Sequence, residues 1–174
     1  MILTMDEFAF SLLQCAMTED DVRRAILLGA NPNKRFGNSE TLLHQVIVPE
    51  VARALIELGA CVASRDHFGN TPLHTARLPE IARVLLREGA DTDMLNYLWQ
   101  TPLHTAQTSE VAHVLLDFGA NIEAQDAFGC LPHQVMYPQT EISRFLRKRH
   151  ADTVFRKTLQ TTIQKHGPEK IRRL

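Results

Sequence analysis

One hexapeptide returns at a fixed interval, and that interval decides the architecture before any local pattern does. Thr71-Pro72-Leu73-His74-Thr75-Ala76 recurs 30 residues later as Thr101-Pro102-Leu103-His104-Thr105-Ala106. A weaker copy, Thr41-Leu42-Leu43-His44, stands 30 residues earlier. A second marker keeps the same beat: Gly29-Ala30, Gly59-Ala60, Gly89-Ala90 and Gly119-Ala120. Two markers in one register predict stacked supersecondary units, none of which can bury its apolar face alone.

Three units, about 41–70, 71–100 and 101–130, share one grammar. A short first helix offers Leu43, Leu73 and Leu103, with Val46, Ala76 and Ala106, to the interior. Pro72 and Pro102 suit a first helical turn, where no N–H is needed. After a tight turn the second helix opens at Pro49-Glu50, Pro79-Glu80 or Ser109-Glu110. Its apolar residues fall at helical spacing, as in Ile81, Val84, Leu85 and Leu86, or Val111, Val114, Leu115 and Leu116. Arg53, Arg83 and His113 alternate with them and face water. Gly59, Gly89 and Gly119 supply the left-handed residue that ends the helix. An extended stretch follows, with a turn at Arg65-Asp66-His67-Phe68-Gly69-Asn70 or Gln125-Asp126-Ala127-Phe128-Gly129-Cys130.

The ends depart from this grammar. Residues 1–10 form a lead-in, with Met5, Phe8 and Phe10 placed to lie over the first unit. The unit at 11–40 has Ser11-Leu12-Leu13-Gln14-Cys15-Ala16 in the motif position, as a terminal cap would. Thr18 is its predicted N-cap, followed by Glu19, Asp20 and Asp21 at the positive end of the helix dipole, and Val22, Ala25 and Ile26 form its stripe. The unit at 131–152 is degenerate: Pro132 keeps its offset, Leu131 and Gln134 replace Thr and His, and His150-Ala151-Asp152 stands where Gly-Ala-Asp is expected to end the helix. Ile142, Phe145 and Leu146 restore the second-helix stripe. A basic capping helix and tail occupies 153–174, with Phe155, Leu159 and Ile163 on one face and Gly167-Pro168 as its stop. Phe145 and Phe155 are expected to be buried.

Thr-Pro-Leu-His-x-Ala, followed by a helix and Gly-Ala-Asp/Asn, resembles the ankyrin repeat. The match is close over 41–130 and looser at 11–40 and 131–152. The resemblance implies an all-α solenoid: paired antiparallel helices with β-hairpin or loop fingers, stacked into a curved array. It also implies protein binding through the concave face and fingers rather than catalysis. The family's repeat runs to about 33 residues, whereas these units have 30. The missing residues fall between Ala76 and Glu80 and at the equivalent places, which predicts shortened first helices and a tighter turn.

Composition supports a single core: 174 residues, 44% of them hydrophobic. A net charge of −1 predicts no bulk attraction to nucleic acid or to a membrane. The charge is uneven, however. Residues 1–140 carry 9 Lys/Arg against 17 Asp/Glu, and residues 141–174 carry 10 against 3. Cys15, Cys61 and Cys130 share no metal-ligand spacing and suit reduced thiols in the cytoplasm. No signal peptide or membrane span is expected, and delivery into a host cell by a specialised route stays open. The chain is expected to be a monomer with no cofactor.

Candidate residues follow. His44, His74 and His104 suggest a metal ladder, but stacked units stand about 8–10 Å apart, too far to share one zinc with bonds of about 2.0–2.1 Å. With Thr71 and Thr101, His74 and His104 are assigned to turn locking. No Gly-rich phosphate loop, HExxH or CxxC is present. The third finger is the anomaly. It has Asn96-Tyr97-Leu98-Trp99 where its neighbours have Asp-x-Phe-Gly. Either Tyr97, Leu98 and Trp99 anchor a protein partner, with His67, Phe68 and Phe128 extending the patch, or Trp99 folds back onto the stack. The basic end, with Arg144, Arg147, Lys148 and Arg149, is either a solvated capping face or a contact for an acidic partner. As the alternative function, residues 144–172 make the chain a nucleic-acid-associated factor. The favoured role is a non-catalytic adaptor, inhibitor or host-directed effector that binds another protein.

Overall fold

The 30-residue period becomes a staircase of helix pairs. In a computed structural model, residues 18–135 and 140–166 are described. The expectations for Met5, Phe8, Phe10, the segment 11–16 and Gly167-Pro168 lie outside them. Long outer helices alternate with one-turn inner helices: α1 (Glu19–Leu27), α2 (Leu42–Gln45), α3 (Pro49–Glu57), α4 (Pro72–Thr75), α5 (Pro79–Arg87), α6 (Pro102–Thr105), α7 (Ser109–Asp117), α8 (Pro132–Val135) and α9 (Glu141–His166). Outer helices pack in the order α1, α3, α5, α7, α9, and inner helices in the order α2, α4, α6, α8. The first helices are four residues long, as the shortened period predicts.

Packing explains the recurrence. Leu55, Leu85 and Leu115 are buried on the outer helices, and Leu43, Leu73 and Leu103 on the inner ones. Each such leucine contributes about 1.5–3 kcal/mol of burial. Ala52, Ala82 and Ala112 have no exposed surface, so neighbouring helices approach closely there. The first unit exchanges the sizes: Val22 stands where the others have alanine, and Ala25 where they have leucine, and both are fully buried. The pair conserves volume, which a dense core tolerates.

Local chemistry sets the boundaries. Thr18 caps α1 by accepting the Asp21 N–H at 3.2 Å, and Asp21 returns a bond from the Thr18 N–H at 3.1 Å. Pro49 and Pro79 open α3 and α5. Gly29, Gly59, Gly89 and Gly119 lie at φ between 86° and 97° and end the outer helices as expected.

Three features of the expected fold are decided by the structure. First, of the hairpin or loop fingers expected, the chain forms loops: among the described residues the sole bridge pairs Phe36 with Glu40. In the three later fingers the cause is the carboxylate or amide at the start, Asp66, Asn96 or Asp126. Asp66 Oδ1 accepts the N–H groups of Phe68 and Asn70, both at 2.8 Å, and closes a loop too tight for strands. Second, His150 does not end a helix, because α9 runs unbroken from Glu141 to His166. Without a glycine nothing favours the left-handed turn, and the His150 ring stacks instead on His133 with centroids 5.2 Å apart. Third, Phe155 is 68% exposed rather than buried, whereas Phe145 is partly buried beside His113 with ring centroids 4.0 Å apart.

Candidate functional site

The repeated motif locks each unit to the next. The Thr71 N–H donates to His74 Nδ1 at 3.1 Å, and the Thr71 hydroxyl lies 2.9 Å from the same nitrogen. An accepting Nδ1 leaves the proton on Nε2, which therefore donates to the Gln100 carbonyl at 3.0 Å. His44 reaches the Asn70 carbonyl, and His104 that of Cys130, both at 3.1 Å. Both nitrogens of each ring are engaged, so none offers a metal a lone pair. Among the described residues, no group of three or more His, Cys, Asp or Glu side chains is arranged to hold one. Burial lowers all three histidines below their ordinary pKa, His74 to about 4.

Two further locks escaped the sequence reading. Thr75 Oγ1 donates to the His44 carbonyl at 2.8 Å, and Thr105 Oγ1 to that of His74 at 2.9 Å. Their signal was their place inside the faithful hexapeptide. Arg65 reaches the carbonyls of Gly69 at 3.0 Å and Leu95 at 2.7 Å, tying one finger to the next. Arg35 does the same one unit earlier, bonding the carbonyls of Ser39 and Arg65. The degenerate unit keeps a substitute for the histidine: the Leu131 N–H donates to Gln134 Oε1 at 2.8 Å.

The fingers themselves are bonded into a row. The His67 N–H donates to the Asn38 carbonyl at 2.7 Å, Tyr97 N–H to Phe68 at 3.1 Å, and Ala127 N–H to Leu98 at 2.9 Å. This spine displays Phe68, Tyr97, Leu98, Trp99 and Phe128 to solvent. His67 is also exposed, edge-on to the Phe68 ring with centroids 5.6 Å apart. All six residues singled out for partner binding thus lie on three adjacent fingers.

Trp99 stands out within this row. Its φ is 59°, in the left-handed region that Gly69 and Gly129 occupy at the equivalent turns. A bulky residue there is strained, costing about 1–2 kcal/mol. The side chain is 62% exposed and so has not folded back into the stack. Asn96 makes the turn possible: its Oδ1 accepts the Leu98 and Gln100 N–H groups, both at 2.9 Å.

Tyr97 lies flat over its neighbour. A Cβ placed on Gly69 would meet Tyr97 Cδ1 at 2.7 Å, and Gly69 has φ 79°. Gly69→Ala is therefore expected to lower stability by about 1–2 kcal/mol. Urea unfolding checks this, and an unchanged midpoint would show that the Tyr97 ring does not rest there.

Beside the fingers runs a groove of about 450 Å³, lined by Glu40, His44, Ile47, His74, Arg77 and Gln107 among others. Its lining mixes polar and apolar surface, and its histidine and threonine side chains are already committed to the locks. The basic residues Arg144, Arg147, Lys148 and Arg149 sit exposed on α9 at the far end of the stack. The segment 144–172 is described as far as His166.

A protein-family model for the ankyrin repeat matches residues 68–97 and 99–127, two adjacent units of the stack. A search of curated protein sequences finds no match to the chain. Ankyrin repeats are generally protein–protein interaction modules. Residues 68–97 and 99–127, with their Thr-Pro-Leu-His turns, are thus two adjacent ankyrin repeats, and the helix pairs packed on either side of them keep the same 30-residue beat.

Proposed function

We propose that the chain binds a protein partner through the finger row, with Tyr97, Leu98 and Trp99 as the anchor and Phe68, Phe128 and His67 around it. One observation carries the reading. Trp99 occupies a left-handed turn position and is mostly exposed. It is unfavourable on both counts in the free protein, so its value lies in a contact made with something else. Aromatic side chains on a rigid spine suit such a contact, because little conformational freedom is lost on docking. The mechanism is surface complementarity, and the role as adaptor, inhibitor or effector follows from the partner.

The triple variant Tyr97→Ser, Leu98→Ser, Trp99→Ser tests this. These side chains are exposed, so helical circular dichroism is expected to stay at the wild-type level. Partners captured by the wild type, identified by mass spectrometry, are expected to be lost. Capture that survives in the folded variant removes the finger from the binding surface.

A further inference from the structure

Helix α9 changes sides halfway along. In its first half Leu146 is fully buried, and Ser143, also buried, donates to the His133 carbonyl at 3.0 Å. At about 100° per residue, Phe155 lies half a turn around the helix from Leu146. The second half therefore turns its apolar residues away from the stack: Phe155, Leu159 and Ile163 are exposed at i, i+4 and i+8. They form a stripe about 12 Å long.

The polar groups beside the stripe are committed. Thr158 Oγ1 donates to the Val154 carbonyl at 2.9 Å, and Thr162 Oγ1 to that of Thr158 at 2.8 Å. Three residues beyond Phe155 and Leu159, these threonines lie next to the stripe and widen it with their methyl groups. The charge around it is mainly basic, although exposed Asp152 stands one heptad before Leu159 and Lys157 is paired with Glu123 of the stack. The helix carries 7 Lys/Arg against 2 Asp/Glu. Lys148 continues the line of the stripe one heptad before Phe155, and Arg156 flanks it; both are exposed.

We propose that the outward stripe of α9 docks an acidic amphipathic helix of a partner protein, apolar face on apolar face, with the partner's carboxylates meeting Lys148 and Arg156. The stripe's period fits a helix, and its basic surround selects an acidic one. A second copy of α9 would bring like charges together. Phosphates would press against Phe155 and Leu159 and find the threonine hydroxyls already used, and a lone aromatic makes no stacking platform. A membrane-surface helix needs its apolar face on one side throughout, whereas here the first half's face is buried in the stack. This surface is separate from the finger row and does not rest on it.

The test is selection of a displayed library of random peptides, each about 18 residues long, on the full chain. Enriched peptides are expected to be acidic, with apolar residues at i, i+3 or i+4 and i+7. A resynthesised peptide is expected to lose at least about tenfold in affinity with Phe155→Ser/Leu159→Ser. With Lys148→Glu/Arg156→Glu it is expected to lose at least about fivefold, and with Trp99→Gly nothing. Circular dichroism checks that α9 stays helical in each variant. The proposal is overturned by the absence of enrichment, by peptides without acidic bias, or by binding that survives the apolar double variant. It is equally overturned if the same residues instead support dimerisation in sedimentation, binding to duplex DNA, or binding to vesicles of anionic phospholipid.

Discussion

Between pH 7 and pH 4 the stack is expected to lose on the order of 3 kcal/mol of stability at His74 alone. The sign follows from the direction of the shift. Burial lowers the folded-state pKa of His74 from 6.5 to about 4, while the unfolded chain keeps the ordinary value. Below pH 6.5 the unfolded chain takes up a proton that the folded chain refuses. The stability is thus fully present above pH 6.5 and lost as pH falls towards 4. Burial is the main cause, and the geometry agrees with it: Nδ1 accepts the Thr71 N–H, and a protonated Nδ1 would point a donor at a donor. His44 and His104 are lowered in the same direction and add to the effect. His74→Gln separates this contribution from that of the carboxylates. Glutamine can accept the Thr71 N–H, as Gln134 does for Leu131, but loses the bond to the Gln100 carbonyl. The variant is expected to be about 1–2 kcal/mol less stable at pH 7 and to show a flatter profile between pH 6.5 and 4. Urea unfolding across that range measures both, and parallel profiles for the two proteins would disprove the role of His74.

Trp99→Gly is expected to stabilise the chain while disabling it. Glycine adopts the 59° φ of this turn without strain, a gain of about 1–2 kcal/mol. Its greater freedom in the unfolded chain offsets about 0.5–1 kcal/mol of that. The exposed indole takes little packing with it, so a net gain of about 1 kcal/mol remains. If Trp99 anchors the partner, its loss weakens binding by at least about 2 kcal/mol, or some thirtyfold. A higher urea midpoint together with lost capture is the expected pair of results. A destabilised variant would mean that Trp99 serves the stack, and a stable variant with undiminished capture would move the anchor elsewhere on the fingers.

Much of this was legible in the sequence, for a definite reason. A period fixes register, and register decides which residues meet. The alternation of one-turn and longer helices, the glycines at 29, 59, 89 and 119, the buried leucines and the Thr–His locks all repeat, so each copy corroborated the others. Features that occur once were harder to place. Trp99 was recognisable as an anomaly, but whether it faced solvent or the stack depended on where the Asn96 turn directs it. The partners of Thr75 and Arg65 were hidden because hydrogen bonds across units join residues about 30 apart.

The sequence by itself determined the repeating unit, because a 30-residue beat with apolar residues at helical spacing can bury its faces only by stacking. The tertiary structure decided where the stack ends and what it leaves uncovered. No local signal told the chain to run α9 through His150, since a helix without a glycine continues until its environment stops it. That one continuation turns Phe155, Leu159 and Ile163 outward. Burial is a relation between a residue and its neighbours, and at the end of a stack one set of neighbours is missing.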